Sequence, residues 1–362
     1  MKYVDEYRDP KLAQDVVDSI RTITTRRWVL MDVCGGQTHG LLRYGIEDEL
    51  SDCVELIHGP GCPVCVTPAW AIDFAQDLSL TPGVLLASFG DMLRVPGSHQ
   101  SLLDARSRGG QLQIVYSPLD AVELARTQPD KHIVFFGVGF ETTAPSTALA
   151  VLQAERLRLN NFSVLVSHVR VLPAMEALML DPDQRIQAFL AAGHVCTIAG
   201  FEEYDSFCQR FNIPVVITGF EPVDLLNGIL RAVGLLEQGQ SQVVNCYARI
   251  ARRTGNATAQ EIVSQVYEVV NCEWRGFGTI PSGGLCLRER FQQFDASLRF
   301  SEKLAAALPK IETTVCQSGA VMAGRIKPSQ CPHFGKECTP DRPLGAPMVS
   351  SEGACAAYFR YQ

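Results

Sequence analysis

Short apolar runs rich in β-branched residues alternate along this chain with longer amphipathic stretches. The runs are "WVLMDV" (28–33), "VELIH" (54–58), "VLLASF" (84–89), "QIVYS" (113–117), "IVFFGV" (133–138), "SVLVSH" (163–168), "VCTIA" (195–199) and "PVVIT" (214–218). Several are apolar throughout, the pattern of strands covered on both faces of a parallel sheet. Between them, "PKLAQDVVDSIRTI", "PAWAIDFAQDL", "SPLDAVELARTQ" and "APSTALAVLQAERLRL" carry helical periodicity. The alternation predicts βαβ units and an α/β fold. Eight strands fit two sheets, divided near "TQPDKH" (127–132), so the expected units are 1–128, 129–240 and 241–362. Past residue 240 the strand rhythm fades. "TGNATAQEIVSQVYEVV" reads as helix, followed by loops rich in Gly, Pro and Cys that lack a large apolar core.

A faint repeat reinforces two similar halves. "VGFETT" (138–143), "AGFEEY" (199–204) and "TGFEPV" (218–223) each set Gly-Phe-Glu after an apolar run. Capping of the following helix accounts for Glu202 and Glu221. Glu141 differs, because Thr142 and Thr143 can cap the helix begun at Ala144-Pro145. Its carboxylate is then free to face a cleft at the strand ends, where open α/β sheets bind ligands.

Composition narrows the class. The 362 residues are 46% apolar and 20% charged, with net charge -7 and no Lys/Arg run, so no nucleic-acid partner is expected. No apolar stretch approaches the roughly 18 residues of a membrane span. "MKYVDEYRDP" has no apolar core of a signal peptide. Thirteen cysteines in such a chain point to a reducing cytoplasm and to thiols used for burial, metal binding or redox chemistry.

"HGPGCPVCVTPAW" (58–70) holds Cys62 and Cys65 in a loop stiffened by three prolines. Thr67 is expected to cap, and Pro68 to open, the next helix, which would favour thiolate at Cys65. Half a zinc site needs a second close pair of ligands, and the chain has no other Cys-x-x-Cys. Redox or metal handling is the favoured reading. "MDVCGGQTHG" (31–40) is a second strand-to-helix turn, with Cys34 at the strand end, glycines that admit close approach, and Thr38 and His39 as ligand or proton-transfer residues. Cys316, Cys331, Cys338 and Cys355, separated by 14, 6 and 16 residues, could carry zinc or an iron–sulfur cluster, and spacing leaves the metal open. The other six cysteines, Cys53, Cys196, Cys208, Cys246, Cys272 and Cys286, default to burial.

"CGGQTH", "GPGCPVC", "GFETT" and the terminal four-cysteine segment, in that order, closely resemble the HypD family of hydrogenase maturation proteins. "VDEYRDP", "FGDMLRVPG", "WRGFGTI" and "MVSSEGACAAY" extend the resemblance over essentially the whole chain. Gln37 departs from it, since many relatives carry histidine there. The resemblance implies two α/β domains facing a cleft and a third domain holding a [4Fe–4S] cluster on Cys316, Cys331, Cys338 and Cys355. It implies a scaffold that assembles the Fe(CN)2CO iron of [NiFe]-hydrogenases, in complex with HypC and with HypE as cyanide donor. By motif, Cys34 is the implied iron ligand and Cys62 and Cys65 the redox dithiol, so all seven thiols are metal-site candidates. Thr38, His39, Glu141 and Thr142 are inferred to bind or protonate groups around the iron. Two readings compete: an iron–sulfur disulfide reductase acting on a thioredoxin-like partner, which uses Cys62, Cys65 and the cluster but leaves Cys34 and "GFETT" unexplained, and a zinc-stabilised binding module, which needs neither glycine-rich turn.

Overall fold

The computed structural model describes residues 5–307 and 314–362; Val4 of "VDEYRDP" and part of the C-terminal stretch, 308–313, lie outside them. Strands β1 (Trp28–Asp32), β2 (Val54–His58), β3 (Val84–Ser88), β4 (Leu112–Ile114), β5 (His132–Gly139), β6 (Phe162–His168), β7 (Ala188–Ala192), β8 (Val215–Thr218) and β9 (Val243–Asn245) build two parallel sheets. One has the order β2-β1-β7-β8-β9, the other β4-β3-β5-β6. The α/β class with parallel sheets is as the periodicity predicts.

The division of strands is not. A break near 127–132 would put β3 and β4 with β1 and β2. Instead they share a sheet with β5 and β6, β3 pairing with both β4 and β5, and the chain returns to the first sheet with β7. Alternating strands and helices specify parallel pairing but not which strands are neighbours, so local pattern could not place the crossover.

Three local expectations also change. "VCTIA" is helical (Gly193–Ala199), because the preceding "AFLAA" takes the place beside β1, with Leu30 opposite Ala188. Packing here overrides β-branched propensity. The helix expected to run through residue 270 stops at Val266; Tyr267–Trp274 (β10) pairs antiparallel with Gly278–Leu287 (β11). The segment after 240 therefore has strands: β9 completes the first sheet, and β11 packs beside β6.

Caps mark the helices clearly. Asp9 accepts from the amides of Lys11 and Leu12 at the start of Pro10–Ile23, and Ser117 forms a capping box with Asp120 at the start of Pro118–Thr127. Glu221 occupies an N-cap position, but its carboxylate is taken by Arg8, with Arg8 Nη2 2.8 Å from Oε1. The helices Pro10–Ile23 and Pro222–Glu237 pack together and cover the first sheet. A second core lies under Pro118–Thr127 and Ala144–Arg156, and the largest runs between the sheets. Among the described residues no helix is long and apolar enough to cross a membrane.

Candidate metal and thiol site

The first sheet reverses its winding between β1 and β7, since β1 leads outward to β2 while β7 leads to β8 on the other side. Such a switch point opens a crevice at the carboxyl ends of its strands. Cys34 follows β1 there and His194 follows β7. Cys34 Sγ lies 3.8 Å from His194 Nδ1. Cys34 is buried, and burial pushes its thiol up to about 12. Burial also lowers His194, to about 4, so its imidazole is neutral near pH 7. His194 was missed in the sequence because it stands just before the segment read as a strand, 195–199, and no cysteine pair or glycine-rich turn adjoins it there.

The two thiol loops interlock. Gly35 N–H donates to Gly61 O at 3.0 Å. A side chain at Gly61 would place its Cβ 2.3 Å from Cys34 Cα, and one at Gly35 would lie 2.1 Å from Glu352 O. These glycines are close-approach positions. Glu352, from "MVSSEGACAAY", thereby sits beside the Cys34 loop and contributes to the upward shift of that thiol.

Cys62 and Cys65 form a disulfide with Cα atoms 5.2 Å apart. The helix geometry differs from expectation. Cys62 is itself the N-cap of a short helix, Pro63–Val66, and Cys65 N–H donates to Cys62 Sγ at 3.1 Å. The amide donor at this helix start is therefore aimed at the Cys62 sulfur, and Cys65 lies inside the helix rather than ahead of it. Thr67 does not cap the next helix; its hydroxyl donates back to Pro63 O at 2.9 Å.

Cys316, Cys331, Cys338 and Cys355 converge on one small cavity walled by Val321, Phe334, Leu344 and Met348, with His333 at its edge. Leu344 N–H donates to Cys338 Sγ at 3.4 Å. Burial, then their mutual proximity, raises Cys338 and Cys355. Four thiolates could share this space only with a cation to offset their repulsion. The donor set fits an iron–sulfur cluster: four sulfurs, apolar walls and an amide donor to sulfur. Among the described residues no group of three or more His, Cys, Asp or Glu stands in a geometry that could already hold a metal ion; the four cysteines line one cavity without being drawn together around a common centre. The short helix Ala346–Val349 joins the two thiol centres: Met348 lines the tetrad cavity and the helix packs on Pro63–Val66.

The remaining candidates have partners of their own. Thr38 is buried and its hydroxyl donates to Asp32 Oδ1 at 2.6 Å. His39 Nε2 meets Tyr361 OH at 2.9 Å, turned to the C-terminal helix Ala354–Tyr361. Gln37 donates through Nε2 to Ala191 O at 3.0 Å, binding β7. Glu141 Oε1 accepts from Val171 N at 2.9 Å. Oε2 has no hydrogen-bond partner, and burial raises the carboxyl. Glu141 lines a cavity of about 460 Å³ with Arg170 and Glu203. The helix Gly193–Ala199 spans between the two regions: His194 faces Cys34 at its start, and Ile198 and Ala199 line the Glu141 cavity at its end. Thr142 is half-buried in the turn beside Glu141, and Thr143 rather than Thr142 is the N-cap. Of the six default cysteines, Cys53, Cys196 and Cys208 are buried, while Cys246, Cys272 and Cys286 are only partly so.

Comparison with known proteins agrees across the whole length. The family model described as "HypD: Hydrogenase formation hypA family" matches residues 11–362. Hydrogenase maturation factor HypD of Rhodobacter capsulatus is 44% identical over 370 residues, covering 100% of this chain and 98% of the relative. The factor of the same name from Azotobacter vinelandii is 44% identical, with 100% and 97% covered, and that from Escherichia coli (strain K12) is 41% identical, with 100% and 98% covered. With its thiol loops interlocked at a sheet switch point and its four remaining motif cysteines gathered on one cavity, the chain belongs to the HypD family of hydrogenase maturation factors.

Proposed function

We propose that this maturation factor is the scaffold on which the iron of [NiFe]-hydrogenases acquires its cyanide and carbonyl ligands, acting in the cytoplasm with HypC bound and HypE delivering cyanide. The observation that carries the reading is the pairing of Cys34 with His194 at the switch point, beside the loop of the Cys62–Cys65 disulfide. Iron carrying strong-field ligands accepts a soft thiolate. Binding iron at Cys34 Sγ replaces the thiol proton, and His194 Nδ1 is the group within reach to take it. Gly35 and Gly61 leave room for the two loops to close around the cargo iron without a side chain between them.

The four C-terminal cysteines would hold a [4Fe–4S] cluster, which when bound supplies electrons one at a time. Helix Ala346–Val349 sets that site against the disulfide, whose reduction to two thiols takes two electrons and two protons. The same proximity favours the second reading, a disulfide reductase for a thioredoxin-like partner. That reading leaves Cys34 and His194 without a task.

Anaerobic purification of the chain with HypC separates the two. Brown protein with infrared bands of metal-bound cyanide and carbonyl supports the scaffold. Brown protein without them, reducing a thioredoxin-like disulfide, supports the reductase. Colourless protein with one zinc at the tetrad removes both.

A further inference from the structure

We propose that His58 is a positioning residue: clamped between Asp32 and Glu47, it registers the cysteine-rich C-terminal segment, through Tyr358 and Lys327, against the two thiol loops. The roles of those loops rest on the function proposed above, but the network stands on its own geometry.

Its origin is in strand register. β1 and β2 run parallel with Asp32 opposite His58 at their carboxyl ends. His58 Nδ1 lies 2.5 Å from Asp32 Oδ2, and Nε2 lies 3.1 Å from Glu47 Oε2 on the short helix Ile46–Glu49. All three side chains are buried. Two carboxylates in so dry a place require compensation. They overcome the cost of burying a charged imidazole and raise His58 to about 9, so it carries its proton at neutral pH.

The network then crosses to the other end of the chain. Glu47 Oε1 accepts from Tyr358 OH at 2.7 Å and from Lys327 Nζ at 2.5 Å. With His58 protonated, two carboxylates face two cations, and the cluster is neutral only while Lys327 is docked. Tyr358 also meets His58 edge-on, with ring centroids 5.5 Å apart, and feels Asp48 from the Glu47 helix.

The sequence positions give this network its consequence. Asp32 lies two residues before Cys34, and Thr38 on the Cys34 helix donates to its second oxygen. His58 lies four residues before Cys62. Lys327 precedes Cys331 by four residues, and Tyr358 follows Cys355 by three. One buried imidazole therefore ties together the loops of Cys34, of the disulfide and of two tetrad cysteines. A displacement of about an ångström between redox or ligand groups is enough to impair a site. A buried ion network earns its place in a structure best as such a register device.

Hydrogen–deuterium exchange of the full chain, purified anaerobically, tests this. Tyr358→Phe and Lys327→Met should each make residues 354–361 exchange about tenfold faster, the loss of one hydrogen bond to a charged group. Lys327→Arg should restore protection. In the parent protein, protection of 354–361 should fall between about pH 7 and 9 as His58 loses its proton, and His58→Gln should abolish that pH dependence. Unchanged exchange in both Tyr358→Phe and Lys327→Met would overturn the proposal. So would a pH profile that persists in His58→Gln. If His58→Gln does not fold, Tyr358→Phe, which removes a single hydroxyl, decides the matter. Cluster colour and infrared bands are read separately, so failure of the scaffold function leaves the exchange result standing.

Discussion

Cys34 and His194, 160 positions apart in the chain, meet with Sγ 3.8 Å from Nδ1 across the switch point of the first sheet. Cys34→Ala should keep the brown colour of the tetrad and lose the cyanide and carbonyl infrared bands. His194→Gln should retain colour and disulfide but require higher pH for iron loading, because the thiol proton must then leave to solvent. Infrared intensity followed against pH checks both. Bands that persist in Cys34→Ala would move the iron site, most directly to the disulfide pair.

The tetrad should organise its own surroundings. If the tetrad holds the cluster proposed above, Cys331→Ala is expected to bleach the protein, lower iron and sulfide, and raise proteolytic nicking after about residue 310, since metal ligation would then stand in for apolar packing in these loops. Iron and sulfide analysis with limited proteolysis measures this. Full iron and colour in the variant would refute the assignment.

Reduction of Cys62–Cys65 should expose a chemical asymmetry. The Cys65 amide aimed at Cys62 Sγ stabilises thiolate at Cys62, so iodoacetamide should label Cys62 first. Peptide mass spectrometry after brief reduction with dithiothreitol reads the order. Serine at either position should abolish maturation.

Acid and alkali should weaken the His58 network in different ways. His58 is raised from 6.5 to about 9, so its contribution is full below about 6.5 and is lost as pH rises through 9. Glu47 is lowered from 4.5 to about 2, chiefly by His58 against the opposing effect of burial, so its contribution is full above about 4.5 and is lost as pH falls toward 2. Urea midpoints across pH 3–10 should show the greatest stability between about 4.5 and 6.5. In Glu47→Gln the acid limb should shrink.

Two glycines should differ sharply from a third. Gly61→Ala and Gly35→Ala drive a methyl into backbone at 2.3 and 2.1 Å, and each should cost about 1–3 kcal/mol or more and end maturation. Gly36→Ala meets no backbone, only the Phe220 ring at 3.2 Å and Cys34 Sγ at 3.7 Å, and should be milder in its effect on stability. Thermal unfolding and hydrogenase activity in a complemented strain give the comparison.

The sequence by itself determined the α/β class and most strand and helix positions, and marked the candidate thiols, because period, caps and turn residues are local signals. "HGPGCPVC" even contained His58, but a histidine before a glycine carries no sign of a carboxylate on the neighbouring strand. Tertiary structure alone decided that β3 and β4 leave the first sheet and that β7 lies against β1, bringing His194 to Cys34. It also gave His39 the Tyr361 hydroxyl and Glu141 the Val171 amide as partners. Strand order is set by which faces bury best together over the whole chain, a comparison of long-range packing free energies that no local window contains.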